Sequence, residues 1–248
     1  MKKNNTTRLD VWLVENGHFE SRQKAVFAIK KGAVQISGVS VLKSSFLVSE
    51  NDAVTITSPG LKFVSQGGLK MEKAILQFNL DVTGMKVLDI GASTGGFSDC
   101  LLQYGAETIF CVDVGSNQLH TSLRNNPKVK WKENCDIRNL HVQELPFSFP
   151  DLVVVDVSFI SIKTLIPILK KFCSGLTKLI VLVKPQFEME EKKNMKNGIV
   201  KNKILREKVF HSVKQEFIKN QFQILGETET DLNEEKKNLE YLLLLKTD

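Results

Sequence analysis

The sequence predicts a mixed α/β chain in two parts: a small N-terminal α+β unit, then a larger, mainly parallel sheet with helices on both faces. Residues 8–57 read as helix, helix and short strands, whereas beyond them short apolar runs and helix-compatible stretches alternate. Between the two lies "TSPGLKF", a Pro/Gly stretch of the kind that connects units. The boundaries drawn are residues 1–59 for the first unit, 60–66 for the linker and 67–248 for the second.

In the first unit, "RLDVWLVENGHF" reads as a helix stopped by Gly17, and "SRQKAVFAIKKG" as a helix from a cap at Ser21 to a stop at Gly32. On this second helix Ala25, Val26 and Ile29 gather on one side, and Lys24 and Lys31 share the opposite side. "AVQISGVSV" alternates about Ser37-Gly38, and "FLVSENDAVTI" repeats the strand pattern around Asn51-Asp52. A unit this small carries little core, so its basic face stands out. Arg8, Arg22, Lys24, Lys30, Lys31 and Lys43 are candidates for phosphate contact, or a solvated accessory surface.

In the second unit the strands are "MKVLDIG", "TIFCVDV", "DLVVVDVSF" and "KLIVLVK", separated by "GGFSDCLLQYG" and "SIKTLIPILKKFCSG" as helices. Such alternation gives parallel strands covered on both faces. "ILREKVFHSVKQEFIKNQ" follows as a helix, and "FQILGETETDL" and "EYLLLLKTD" as a closing pair of strands.

With 42% apolar and 25% charged residues among 248, disorder and collagen-like repeats are excluded. Cys100, Cys111, Cys135 and Cys173 form no CxxC pair, which fits a reducing cytoplasm and no zinc or other metal site. No apolar stretch follows the N-terminal lysines, and no run approaches the ~18 residues of a membrane span, so a soluble cytoplasmic protein is expected. The net charge of +6 favours a polyanionic partner.

"VLDIGASTGGFSDCLL" sets Asp89, Gly91, Ser93, Gly95, Gly96 and Phe97 between a strand and a helix, where backbone amides and bare Cα atoms approach a ligand. The spacing is not GxGxxG, and no GK[ST] follows for a nucleotide phosphate. The next strand ends "CVDVG", so Asp113 falls about twenty residues on, where an acid can hold two ribose hydroxyls. "NCDIRNL" offers Asp136 at a third strand end, as a ligand for an adenine amino group or as a cap.

Ligands of open α/β sheets sit outside the carboxyl ends of strands, so the polar residues closing each apolar run matter. Asp156 follows "LVVV", Lys184 follows "LIVLV", Lys70 lies in "SQGGLKMEKA", and Glu240 opens "EYLLLLK". Phe159, just past Asp156, is expected to pack inside, with walling of a target nucleotide as the alternative.

Resemblances sharpen these readings. "RLDVWLVENGHFESRQKAVFAIKKGAVQISGVSV" resembles the small RNA-binding domain named after the fourth small-subunit ribosomal protein, which implies Arg8, Ser21, Arg22 and Lys24 as RNA contacts. The glycine turn resembles the DxGxGxG turn of methyltransferases that bind S-adenosylmethionine, with Ser93 at a glycine position. Lys70, Asp156, Lys184 and Glu240 resemble the Lys-Asp-Lys-Glu tetrad of FtsJ-like ribose 2'-O-methyltransferases. "FVSQGGLKMEKA", "VDVGSNQL", "DVSFISI", "VKPQFE" and "KKNLEYLL" extend the likeness to the TlyA family, often labelled haemolysin A. The sequence departs from that family at Gln66, at Asp136 and along "NGIVKNKILREK".

The resemblance implies a Rossmann-like S-adenosylmethionine-dependent methyltransferase sheet behind a small α+β RNA-binding domain. It further implies 2'-O-methylation of ribose, at a cytidine of ribosomal RNA within assembled subunits, without a metal. Lys184 is expected as the general base, because burial and the positive charges of Lys70 and the sulfonium favour a neutral amine. Asp156 and Glu240 would orient the lysines. The rival classes are a membrane-active haemolysin, a non-catalytic RNA-binding assembly factor and a small-molecule O-methyltransferase.

Overall fold

The computed structural model describes residues 6–30, 32–49, 51–56, 62–189, 195, 198–230 and 238–247. Lys31, residues 60–61 of the expected linker and Asn197 of the loosely matched segment lie outside them. The chain divides into two compact units, Met1–Gln66 and Gly67–Asp248.

The first unit runs β1 (Thr6–Arg8), α1 (Leu9–Glu15), α2 (Arg22–Lys30), β2 (Val34–Ile36), β3 (Val39–Ser40), β4 (Leu47–Ser49) and β5 (Val54–Ile56). The Ser21 hydroxyl accepts from the Lys24 amide at 3.3 Å, so Ser21 caps α2, and Gly32 ends it at φ +74°. Leu9, Leu13, Ala25, Ala28, Ile29, Val34 and Val48 form its core. Ser37 and Gly38, at φ 50° and 81°, make the tight turn that pairs β2 with β3. The strand pattern around Asn51-Asp52 gives β4 and β5, but the two do not pair with each other. β4 pairs with β1 and β5 with β2, in separate sheets, because strand partners are chosen by long-range register rather than by the polar turn between them.

The second unit opens with α3 (Gly67–Gln77) and continues β6 (Lys86–Ile90), α4 (Gly96–Gln103), β7 (Thr108–Val112), α5 (Thr121–Arg124), β8 (Val129–Lys132), β9 (Leu152–Val155) and α6 (Ile166–Lys171). It closes with β10 (Lys178–Val183), α7 (Pro185–Glu188), α8 (Lys203–Lys219), β11 (Phe222–Glu229) and β12 (Tyr241–Thr247). The seven strands lie in the order β11-β12-β10-β9-β6-β7-β8. From β8 through β10 neighbours are parallel, and β12 is antiparallel to both β10 and β11. Every residue of β9, and all of β10 but its first, is buried, as strands covered on both faces require.

The stretch expected as one helix over 161–175 is instead a 3₁₀ turn at Ile162–Thr164 followed by α6. Pro167 lacks an amide hydrogen and so sits in the first turn of α6, restarting the helix there. Pro185 likewise sits in the first turn of α7, with Lys184 as its N-cap. The chain reverses direction across the sheet between β6 and β9, and at such a switch a crevice opens at the carboxyl ends of the strands.

Candidate active site

Strand register builds the site. Ile90 is level with Val155, so Gly91 and Asp156 emerge side by side from β6 and β9, and a Cβ on Gly91 would lie 2.5 Å from the Asp156 carbonyl oxygen. Val181 is level with Val155, and Val183 with Tyr241. Lys184 therefore leaves β10 beside the end of β9 and opposite Glu240, the residue that enters β12. A row of Gly91, Asp156, Lys184 and Glu240 results along one edge of the sheet.

The four charged residues form two ion pairs. Lys184 Nζ lies 2.5 Å from Asp156 Oδ1 and donates to Ser158 Oγ at 2.8 Å. Lys70, from the first turn of α3, places Nζ 2.5 Å from Glu240 Oε2. Lys70 was expected to repel charge on Lys184, but its own charge is balanced by Glu240. Lys184 is 9% exposed, and its Nζ also lies 6.0 Å from the centre of the Phe187 ring.

Beside this row opens a cavity of about 330 Å³. Gly91, Ser93, Asp113, Asp136 and Asp156 line it together with Gln118, and Ile90, Val112, Val114, Ile137 and Leu165 give it apolar walls. Asp113 accepts from the Ser93 amide at 2.8 Å and the Gly115 amide at 2.7 Å, one on each oxygen. A carboxylate has further lone pairs, so Asp113 can still receive two hydroxyls. A carboxylate that accepts, a bare Cα at Gly91 and apolar walls are what a ribose and a purine ring require. The residues therefore fit S-adenosylmethionine.

Four of the residues expected at the cofactor do not line the cavity. Asp89 is fully buried on the helix-covered face, where Ser98 of α4 donates to its Oδ2 at 2.5 Å. Burial drives its carboxyl up to about 7, with the Ser98 bond opposing and the charges of Asp156 and Asp113 adding to the rise. Gly95, at φ +88°, admits packing instead of ligand: a Cβ there would lie 2.2 Å from Leu123 Cδ1 and 2.8 Å from Leu119 Cδ1. Gly96 and Phe97 are buried in the first turn of α4. Asp136 does reach the cavity, four residues past the end of β8, as the cap of a 3₁₀ turn. Its side chain is bonded to the Arg138 guanidinium, which holds the carboxyl below its usual range.

Phe159 reverses its expected role. It is 91% exposed at φ +66°, and its ring lies 5.1 Å from that of Phe187 in α7. Val157, Ile160 and Ile162 take the core positions of this loop, leaving the aromatic ring outside. Glu188, in α7, is a further structural acid to which no motif assigns a role. Its carboxylate is buried and accepts from the Ser161 hydroxyl at 2.6 Å and the Ile162 amide at 2.7 Å, tying the Phe159 loop to α7. Burial raises the pKa of Glu188, and the Ser161 bond works against that rise. A charged residue next to a run ending in Lys-Pro was the available signal.

In the first unit, Asp10 is a buried acid that no sequence pattern marks. It receives Arg8 Nε at 3.0 Å and Arg22 Nη2 at 2.8 Å, while Lys24 pairs with Glu20 at 2.5 Å. Both guanidiniums remain about half exposed, and Lys30 and Lys43 are exposed. The Arg8 bond, opposed by burial and helped by Arg22, brings the Asp10 carboxyl down to about 2. A depressed carboxyl adds stability that is complete above its unfolded value near 3.8 and is lost as pH falls through the folded value. Acid unfolding followed between about pH 5 and pH 2 should therefore show a slope that Asp10→Asn flattens.

Among the described residues, no helix is long and apolar enough to cross a membrane, and no group of three or more His, Cys, Asp or Glu could hold a metal. The sheet order, the glycine turn and the paired Lys-Asp and Lys-Glu residues define a methyltransferase of the Rossmann-like class. Residues 63–247 match the FtsJ-like methyltransferase family and residues 7–54 the S4 domain, so the chain belongs to the FtsJ-like methyltransferases that carry an S4 domain, the family of TlyA and hemolysin A.

Hemolysin A of Brachyspira hyodysenteriae is 38% identical over 235 residues, covering 95% of this chain and 98% of that protein. The 16S/23S rRNA (cytidine-2'-O)-methyltransferase TlyA of Mycobacterium tuberculosis is 36% identical over 241 residues, covering 97% and 90%. A solved structure named as a hemolysin, from Streptococcus thermophilus, superposes with a TM-score of 0.76 at 35% identity, covering 99% of this chain and 90% of that one.

Proposed function

We propose that this protein transfers a methyl group from S-adenosylmethionine to the 2'-hydroxyl of a cytidine ribose in ribosomal RNA of assembled subunits, in the cytoplasm. The observation that carries the reading is the row of Gly91, Asp156, Lys184 and Glu240 beside a cavity that suits an adenosine. S-adenosylmethionine, when bound, supplies an electrophilic methyl on a sulfonium. Asp113 would hold the ribose of that cofactor, and the apolar walls its ring.

Lys184 Nζ is the group proposed to take the proton from the target hydroxyl. In the resting ion pair it is an ammonium held by Asp156 and Ser158. To act as a base the nitrogen first releases one of its own protons to solvent; it then takes the hydroxyl proton as the methyl passes from sulfur to oxygen, and the same two partners keep the amine aimed. Lys70 and Glu240 neutralise one another beside it, so the amine's neighbour adds no net charge. General-base assistance of this kind contributes about 10² to 10⁴ in rate. Holding the hydroxyl in line supplies much of the remainder.

In the N-terminal unit, Arg8, Arg22, Lys24, Lys30 and Lys43 are proposed to contact RNA phosphates, with Asp10 fixing the two arginines. Phe159 is proposed as the face on which the target base stacks, with Phe187 behind it. Stacking of one base on an aromatic ring contributes about 1–3 kcal/mol, so Phe159→Gly should lower kcat/KM for RNA by roughly 5- to 150-fold. The same substitution relieves a left-handed backbone that costs about 1–3 kcal/mol in a non-glycine residue. Its urea midpoint should therefore not fall, and a large loss of stability would show that the ring is a packing element.

The direct test is transfer of tritium from labelled S-adenosylmethionine to ribosomal subunits from cells lacking this protein, followed by mapping of 2'-O-methyl sites. Label at a cytidine ribose is the expected result. Binding of subunits without transfer would leave an assembly factor in place of an enzyme.

A further inference from the structure

Directly after β8 stands Glu133, a residue to which neither the glycine turn nor the tetrad assigns any role. Its carboxylate accepts from three successive backbone amides, Asn117 at 2.8 Å, Gln118 at 3.0 Å and Leu119 at 3.2 Å. Arg124 Nη2 adds a fourth donor at 2.5 Å, and its guanidinium stacks 4.4 Å over the Trp131 ring. Arg124 Nε also donates to the Leu119 carbonyl at 2.9 Å, closing the clamp on the far side of the same segment.

The clamped segment borders the cavity. Asn117 is held at φ +54°, which turns the chain so that Gln118 lines the cavity while Leu119 packs inward over Gly95. Gln118 Oε1 accepts the Ser93 hydroxyl at 3.1 Å, and its Nε2 lies so close over Gly115 that a Cβ there would be 2.0 Å away. The amide of Gln118 is thus fixed between the glycine turn and the residue two places after Asp113. With its oxygen engaged by Ser93, it offers N–H donors where Asp113 offers only acceptors.

The geometry points to Gln118 as a further cofactor-binding residue, donating to the oxygen-rich sugar portion of an adenosine, and to Glu133 as the positioning residue that presents it. This inference rests on the reading of the cavity as an S-adenosylmethionine site. A carboxylate that satisfies three adjacent amides orders a loop before the ligand arrives, so the ligand does not bear the entropy of ordering it. Burial raises the Glu133 carboxyl, but Arg124 and the three amides outweigh burial and bring it to about 2, so the clamp stays closed at any working pH.

Calorimetric titration of the full chain with S-adenosylhomocysteine tests the idea without any RNA. Gln118→Ala, which removes a surface side chain, is expected to weaken Kd by about 3- to 10-fold, the effect of one lost hydrogen bond. Glu133→Ala should weaken it by about tenfold or more. In the double variant the Gln118 change should cost less than it does alone, because Gln118 is already displaced. A purely structural Glu133 would instead give additive losses, and additivity overturns the positioning role. Asp113→Ala is the reference: if it loses binding while Gln118→Ala binds as wild type, Gln118 is no ligand and the inference falls. If the wild-type chain itself binds no S-adenosylhomocysteine, the cofactor reading is what fails.

Discussion

Lys184→Arg is expected to lower RNA methylation by about 10² to 10⁴-fold, as severely as Lys184→Ala, while binding of S-adenosylhomocysteine persists. Arginine preserves the positive charge and pairs well with a carboxylate, so the contact to Asp156 survives in the variant. What it cannot do is part with a proton at any pH the protein tolerates. The substitution therefore separates holding charge at the end of β10 from the proposed uptake of a proton there, which Lys184→Ala would remove together. Methylation by Lys184→Arg within about tenfold of wild type would end the base assignment and leave Lys184 as an electrostatic anchor. Melting temperature and cofactor affinity, measured on the same preparations, show whether the larger side chain has been accommodated beside Asp156 and Ser158.

The sheet was legible because its strands are uniform in a way helices seldom are. "LVVV" and "LIVLV" are too short and too apolar to be anything but strands buried on both faces, and each ends in a charged residue that the register then places at one edge. The first unit was less legible. Its β4 and β5 look like a hairpin locally, and only pairing with β1 and β2 separates them. Local chemistry reports where a strand begins and ends. It does not report which distant strand offers the better register.

The site divides in the same way. Asp156, Lys184, Glu240 and Lys70 were found because strand ends and family spacing both mark them, and the structure joins them as two ion pairs. Asp89, Gly95, Gly96 and Phe97 lie in the same motif as Gly91 and Ser93 yet face packing, since a turn necessarily sends some residues toward the helix behind it. Glu133, Glu188 and Asp10 escaped notice for one shared reason. Each is a carboxylate that serves backbone amides or arginines brought near by tertiary folding, and an acid in a mixed-charge segment looks the same whether it faces water or a loop.

Gly91→Ala should cost about 2–5 kcal/mol of stability, combining the roughly 1–2 kcal/mol of a left-handed residue with the roughly 1–3 kcal/mol of an overpacked contact. Gly91 sits at φ +81°, donates its amide to the Val112 carbonyl at 2.8 Å, and faces the backbone of Asp156 and Val157. A new Cβ would meet the Asp156 carbonyl oxygen at 2.5 Å and its carbon at 2.9 Å. Both are main-chain atoms, so no rotamer change relieves the contact. The end of β9 must move, and Asp156 and its hold on Lys184 move with it. Ser93→Gly is the control, because Ser93 lies at φ 48° in the same turn and lines the same cavity, and the change adds no atom to either. The alanine variant should unfold at lower urea and lose methylation even where it remains folded, whereas Ser93→Gly should unfold near the wild-type midpoint. Equal midpoints for Gly91→Ala and wild type, within about 1 kcal/mol, would mean that β6 and β9 do not approach as closely as the register requires.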